Sequence, residues 1–122
     1  MGVVTVTTIE LPWPSRDLSP NSRAHRMAKA RAVKKYRTDC HYAAMACGLR
    51  RMVADTLLVT MTFRPPLKRH HDQDNLIARS KAAIDALADV TGIDDRHFRI
   101  AQPVIGEPYP PFGKVIVELE AI

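Results

Sequence analysis

Residues 3–11 (VVTVTTIEL) are β-branched and partly alternate apolar with polar, a pattern that predicts a strand. Pro12-Trp13-Pro14 closes that run, since neither proline can donate to a ladder. A loop over 15–21 has turn chemistry in Ser19-Pro20-Asn21. Asn21 or Ser22 can then cap a long helix reaching about Gly48, with Val33, Tyr36, Cys40, Ala43/Ala44 and Cys47 as its buried stripe. A second strand is expected over 56–63 (TLLVTMTF), stopped by Pro65-Pro66. One continuous helix is expected from about Asn75 to Val90, with Leu76, Ala83, Ile84 and Leu87 on its apolar face and Gly92 just past its end. Two further strands, near 98–103 and 114–119, are joined by a loop rich in Pro and Gly over 106–113. The order β-α-β-α-β-β predicts an α+β fold, a single domain over 1–122 in which helices pack on one mixed sheet.

Composition narrows the class. A chain of 122 residues that is 46% hydrophobic can bury a core without disulfide staples. Cys40 and Cys47 lie about 10 Å apart along an ideal helix, too far to bridge, and read as two small buried thiols of a reducing compartment. No apolar run is long enough to span a membrane, and the N-terminal segment reads as a strand instead of a leader, so a protein that stays in the cytoplasm is expected.

The net charge of +5 is unevenly placed. Residues 23–51 hold nine Lys/Arg against one acid, whereas 52–122 hold eight against ten. One basic half and one acidic half suit a surface that meets a polyanion beside one that holds cations, although a merely solvated basic helix would look the same.

The chemistry-bearing residues follow the second strand. Asp72 and Asp74 are two apart at the start of a helix, preceded by Lys68-Arg69-His70-His71. Two close carboxylates repel unless a cation separates them, and a hard ion such as Mg²⁺ suits that geometry. Helix capping explains one Asp equally well. A second pair, Asp94-Asp95, follows the helix, whose ends stand about 22 Å apart, so the chain must fold back for the pairs to meet. Along one continuous helix Lys81 lies roughly 20° from Asp74 and can also pair with Asp85, while Arg79 points about 140° away. Cys/His ligand spacing for zinc is absent from the sequence.

Taken in order, these residues resemble the RusA family of Holliday junction resolvases of bacteria and their phages. Leu11-Pro12-Trp13-Pro14 after the first strand, Asp72-Gln73-Asp74-Asn75 at a helix start, Lys81-Ala82-Ala83-Ile84-Asp85-Ala86-Leu87 and the Ile93-Asp94-Asp95 turn match its pattern over nearly the whole chain. The resemblance implies a RusA-like fold and a homodimer that binds four-way DNA junctions and cuts two strands with Mg²⁺. By position, Asp72, Asp74 and Asp95 take the metal-binding roles and, with Lys81, the catalytic ones. The family's lysine usually comes four residues after the second Asp, where this chain has Ala78; Lys81 is the substitute, shifted by roughly 4.5 Å along an ideal helix.

Phosphate contacts are expected from Arg23, Arg26, Lys34 and Arg37 on the first helix and from Lys68 and Arg69 before the site. Trp13 reads as a wedge packed on the core, with stacking on an unpaired base as the alternative. A nuclease preferring flaps or replication forks, and a non-catalytic DNA-binding protein of the same fold, have the same sequence features.

Overall fold

The computed structural model describes residues 6–19, 23 and 25–122. It is an α+β fold in which three helices accompany one mixed sheet. The strands are β1 (Val6–Pro12), β2 (Leu57–Arg64), β3 (Phe98–Ile100), β4 (Val104–Ile105) and β5 (Lys114–Ala121), and the helices are α1 (Arg26–Ala46), α2 (Gln73–Arg79) and α3 (Lys81–Thr91). In the sheet, β5 lies between β1 and β2 and is antiparallel to both, while β3 and β4 run parallel to β2 on its other edge.

Strand alternation builds the core. Ile9 pairs with Val117, which pairs with Met61; Leu11, Val115 and Phe63 form the next row. These six residues are buried, whereas Thr8, Glu10 and Glu118 between them face solvent. Tyr36, Cys40 and Ala44 of α1 and Ala83, Ile84, Ala86 and Leu87 of α3 complete the same cluster. Small side chains let α1 and α3 approach closely, and the Arg37 guanidinium joins them at the surface by bonding Asp89 at 2.7 Å.

Several local expectations change. His25 caps α1 through Nδ1, which accepts from Met27 N–H; the expected caps Asn21 and Ser22, the turn residues Pro20 and Asn21, and the first part of the expected strand over 3–11 lie outside the described residues. Pro12 stays within β1, paired with Lys114 at the sheet's edge. Val33 and Cys47 are exposed, because the buried stripe of α1 drifts past them. Only Cys40 is therefore a buried thiol, and burial pushes its pKa up to about 12. A thiol reagent at neutral pH is expected to titrate one cysteine in the native protein, Cys47, and both after unfolding; equal reactivity of the two native thiols would contradict this packing.

The expected continuous helix over 75–90 breaks at Ser80. There φ and ψ are −94° and 6°, and the Ser80 hydroxyl donates to Leu76 carbonyl at 2.8 Å while its N–H turns to Ile77. Gly92 ends α3 with φ of 75°, as expected for a left-handed cap. The strand expected over 98–103 is two short ones, because Pro103 has no N–H to continue the ladder.

The loop from β4 into β5 returns through Gly113. Its φ is +71°, and an added Cβ would lie 2.8 Å from Pro66 Cδ and 2.9 Å from Arg64 carbonyl oxygen. Gly113→Ala is expected to destabilise by about 2 kcal/mol, read as a lower urea midpoint with unchanged slope.

Candidate functional site

The site lies beyond the carboxyl end of β2, where ligand crevices of α/β sheets form. Pro65-Pro66 ends the strand, and a basic turn leads to Asp72-Gln73-Asp74-Asn75 at the start of α2. Three of these four side chains are tied down. Asp72 caps α2, its Oδ1 accepting from Asn75 N–H at 3.1 Å. Gln73 donates to Pro103 carbonyl at 3.2 Å and accepts from Gln102, which fixes the helix start against the β3–β4 corner. Asn75 accepts from the Ser19 hydroxyl at 2.8 Å, fastening it to the loop after β1. Asp74 is exposed and, among the described residues, makes no hydrogen bond or ion pair. Asp72 and Asp74 line an open cavity of about 560 Å³ together with Arg69, His70, His71 and Ile105.

The later acidic turn does fold back. Lys81, the first residue of α3, donates from Nζ to Asp85 Oδ1 at 2.8 Å and to Asp95 Oδ2 at 2.6 Å. Asp95, fourteen residues on, is thus returned to the start of the helix it follows. Hydrogen bonds to Asp85 and Asp95 raise the Lys81 pKa, and the bond from Lys81 holds the Asp95 carboxyl below its usual range. Lys81 is therefore a fixed cation at neutral pH. Asp94 caps the 3₁₀ turn over Asp95–His97 by accepting from Arg96 N–H at 3.0 Å.

The three expected ligands are only partly gathered. Asp72 and Asp74 share one cavity, while Asp94 and Asp95 line another with Asp85, Asp89 and Arg37. Among the described residues, no group of three or more His, Cys, Asp or Glu side chains is arranged to hold a metal ion. Asp95 stands with Lys81 instead, so the arrangement corresponds to two carboxylates at α2 and an ion-paired third at α3.

Arg79, which the helical wheel turns away from Asp74, is 9% exposed and works as an anchor. It donates through Nε to Ser15 carbonyl at 3.3 Å and through Nη2 to Pro14 carbonyl, with its guanidinium 5.7 Å from the Trp13 ring centroid. Tyr36 hydroxyl donates to Pro12 carbonyl at 2.7 Å. Trp13 is half-buried, edge to face with Phe63 at 6.0 Å and with His71 at 5.5 Å. Burial, then Arg79, Arg69 and His70, lower the His71 pKa. The sequence carried one sign of the Arg79 role: it falls three residues after buried Leu76 and four before buried Ala83, on the apolar face.

The expected DNA-contacting residues Arg23, Arg26, Lys34, Lys68 and Arg69 are exposed. Arg37 is exposed too, but its guanidinium is committed to Asp89.

No family model matches the chain. A protein of Xylella fastidiosa (strain Temecula1 / ATCC 700964), described as "Uncharacterized protein", is 37% identical over 124 residues, covering 99% of this chain and 80% of that protein. The chain belongs to that protein's family. The relative is bacterial, and no described helix of this chain is long and apolar enough to cross a membrane.

Proposed function

We propose that this protein is a Mg²⁺-dependent endonuclease of the RusA type that cuts branched DNA, four-way junctions above all, and acts as a homodimer in a bacterial cytoplasm. The observation that carries the reading is the Lys81 ammonium bridging Asp85 and Asp95. Three motif positions spread over fifteen residues meet there, one helical segment beyond the Asp72/Asp74 pair. Lys81 follows Asp74 by seven residues, across the break at Ser80.

The donor set suits a hard cation, since Asp72 and Asp74 offer carboxylate oxygens and the Asp72 cap uses only Oδ1. Asp72 and Asp74 are the residues that would hold Mg²⁺, joined by Asp95 only if it left Lys81, and the ion would supply a nucleophilic water and neutralise charge on the phosphoryl oxygens. The chain's own contribution is orientation and charge. Gln73 and Asn75 fix the start of α2, so the flanking carboxylates are held on a rigid element. Lys81 keeps its proton and, held by Asp85 and Asp95, offers a positive charge to a phosphate, and Arg69 and the basic face of α1 supply backbone contacts.

A second reading has an observation of its own: Asp72 and Asp94 both cap turns of helix, as they would in a non-catalytic DNA-binding protein. The purified chain incubated with four-way, flap and plain duplex DNA separates the two. Nicking of the junction in Mg²⁺ and none in EDTA is the expected result. Flap or fork cleavage that outpaces junction cleavage would change the substrate and keep the chemistry. Junction binding without cleavage in either Mg²⁺ or Mn²⁺ would establish the binding protein instead.

A further inference from the structure

A second cavity adjoins the carboxylate cavity and shares two of its walls, Arg69 and His71. It measures about 320 Å³, near the low end of the roughly 300–1,000 Å³ of ligand pockets, and Trp13, Arg16, Arg79 and Leu67 also line it. Its lining includes three arginines and no acid. The indole of Trp13 and the imidazole of His71 meet edge to face within it, and Leu67 stands 60% exposed at the lining. His71 Nε2 is buried and lacks a hydrogen-bond partner among the described residues. Such an unpaired buried polar atom carries a cost.

Guanidinium groups recognise phosphate, and aromatic rings give sequence-tolerant stacking for bases. We infer that this cavity receives one unpaired nucleotide of the DNA strand, its phosphate on Arg16 and Arg69 and its base against Trp13 and His71. The inference rests on the nuclease reading for its biological setting. The strand would pass from the Asp72/Asp74 cavity over the shared wall of Arg69 and His71, so only DNA that can release a base at that point would seat fully. That provides a physical basis for branch selectivity without base-specific contacts. A paired duplex would have to unstack a base first.

Trp13 is the chain's only tryptophan, so its fluorescence reports on this cavity directly. The test titrates the full chain, in EDTA, with deoxyadenosine monophosphate, deoxyadenosine, inorganic phosphate, a short single-stranded oligonucleotide and a blunt duplex. Saturable quenching by the monophosphate and the single strand is expected, with nucleoside, phosphate and duplex each at least about tenfold weaker. Arg16→Ala, at an exposed position with no side-chain bond among the described residues, is expected to weaken the monophosphate by about tenfold while the native spectrum without ligand is unchanged. Quenching by phosphate alone equal to the monophosphate would overturn the nucleotide assignment, as would a duplex that quenches as well as a single strand. A wild-type chain that cleaves junctions in Mg²⁺ with no spectral response to any probe would reject the cavity and keep the nuclease. The expected quenching in a chain that never cleaves would keep the cavity and reject the nuclease.

Discussion

Asp74→Asn is expected to lower junction cleavage by roughly a hundredfold or more while the protein still binds the junction, with affinity equal to or above wild type. Loss of a partner merely supporting a metal ligand typically costs 10–100-fold, so loss of a proposed ligand should cost at least the upper end. The substitution isolates chemistry from folding unusually well. Asp74 is exposed and makes no hydrogen bond or ion pair among the described residues, so the neutral isostere removes a charge and little else. Removing a negative charge beside a phosphate also lowers repulsion, which is why binding should survive or tighten. Asp72→Asn is the companion: asparagine caps helices as well as aspartate does, so the bond to Asn75 N–H persists and stability should hold. Single-turnover cleavage beside junction binding measures both effects. Wild-type rates in both variants would remove the carboxylate pair from the mechanism.

The sequence made the frame of this site legible because each signal was local. Alternation in TLLVTMTF, the two prolines after it and an Asp-x-Asp-Asn at a helix start place two carboxylates just beyond β2 without any tertiary information. Gly92 marked the end of α3 for the same reason: a left-handed cap favours glycine wherever it occurs. What stayed hidden depended on contacts between distant segments. Ser80 is unremarkable within a helical pattern, yet its hydroxyl competes for Leu76 carbonyl and splits the helix, which ends the continuous wheel used to place Lys81. Lys81 pairs with Asp85 one turn on, as its spacing predicts, and with Asp95 across the fold-back, a partner that only the fold supplies. The fate of Asp95 was equally hidden, since its partner lies fourteen residues back in the chain, and in this structure it joins the lysine. Periodicity misjudged Val33 and Cys47 because the edges of a buried stripe depend on where the neighbouring element stops.

Arg79→Ala is expected to cost about 3 kcal/mol of stability and to lower the melting temperature by roughly 10 °C, a large effect for a charged residue near a site. The reason is the two carbonyls it holds. Pro14 and Ser15 follow β1 in a segment that prolines keep out of regular structure, so these acceptors have no ladder to join. Without the guanidinium the buried Pro14 carbonyl loses its partner, at about 1–3 kcal/mol, the Ser15 carbonyl keeps only the Leu18 N–H at 3.0 Å, and the space under the indole loses its filling. Relief from keeping a cation 9% exposed offsets part of that loss. Lysine at this position cannot restore the contacts, because a single ammonium lacks the fork that reaches both carbonyls. Arg79→Lys should therefore recover only part of the stability. The same pair of variants tests what Arg79 does for Trp13: once its cation is gone from over the ring, the emission of the native chain should shift even where folding is intact. An alanine variant as stable as wild type, with unchanged Trp13 emission, would mean that the Leu11-Pro12-Trp13-Pro14 segment is held by Tyr36 and the core alone.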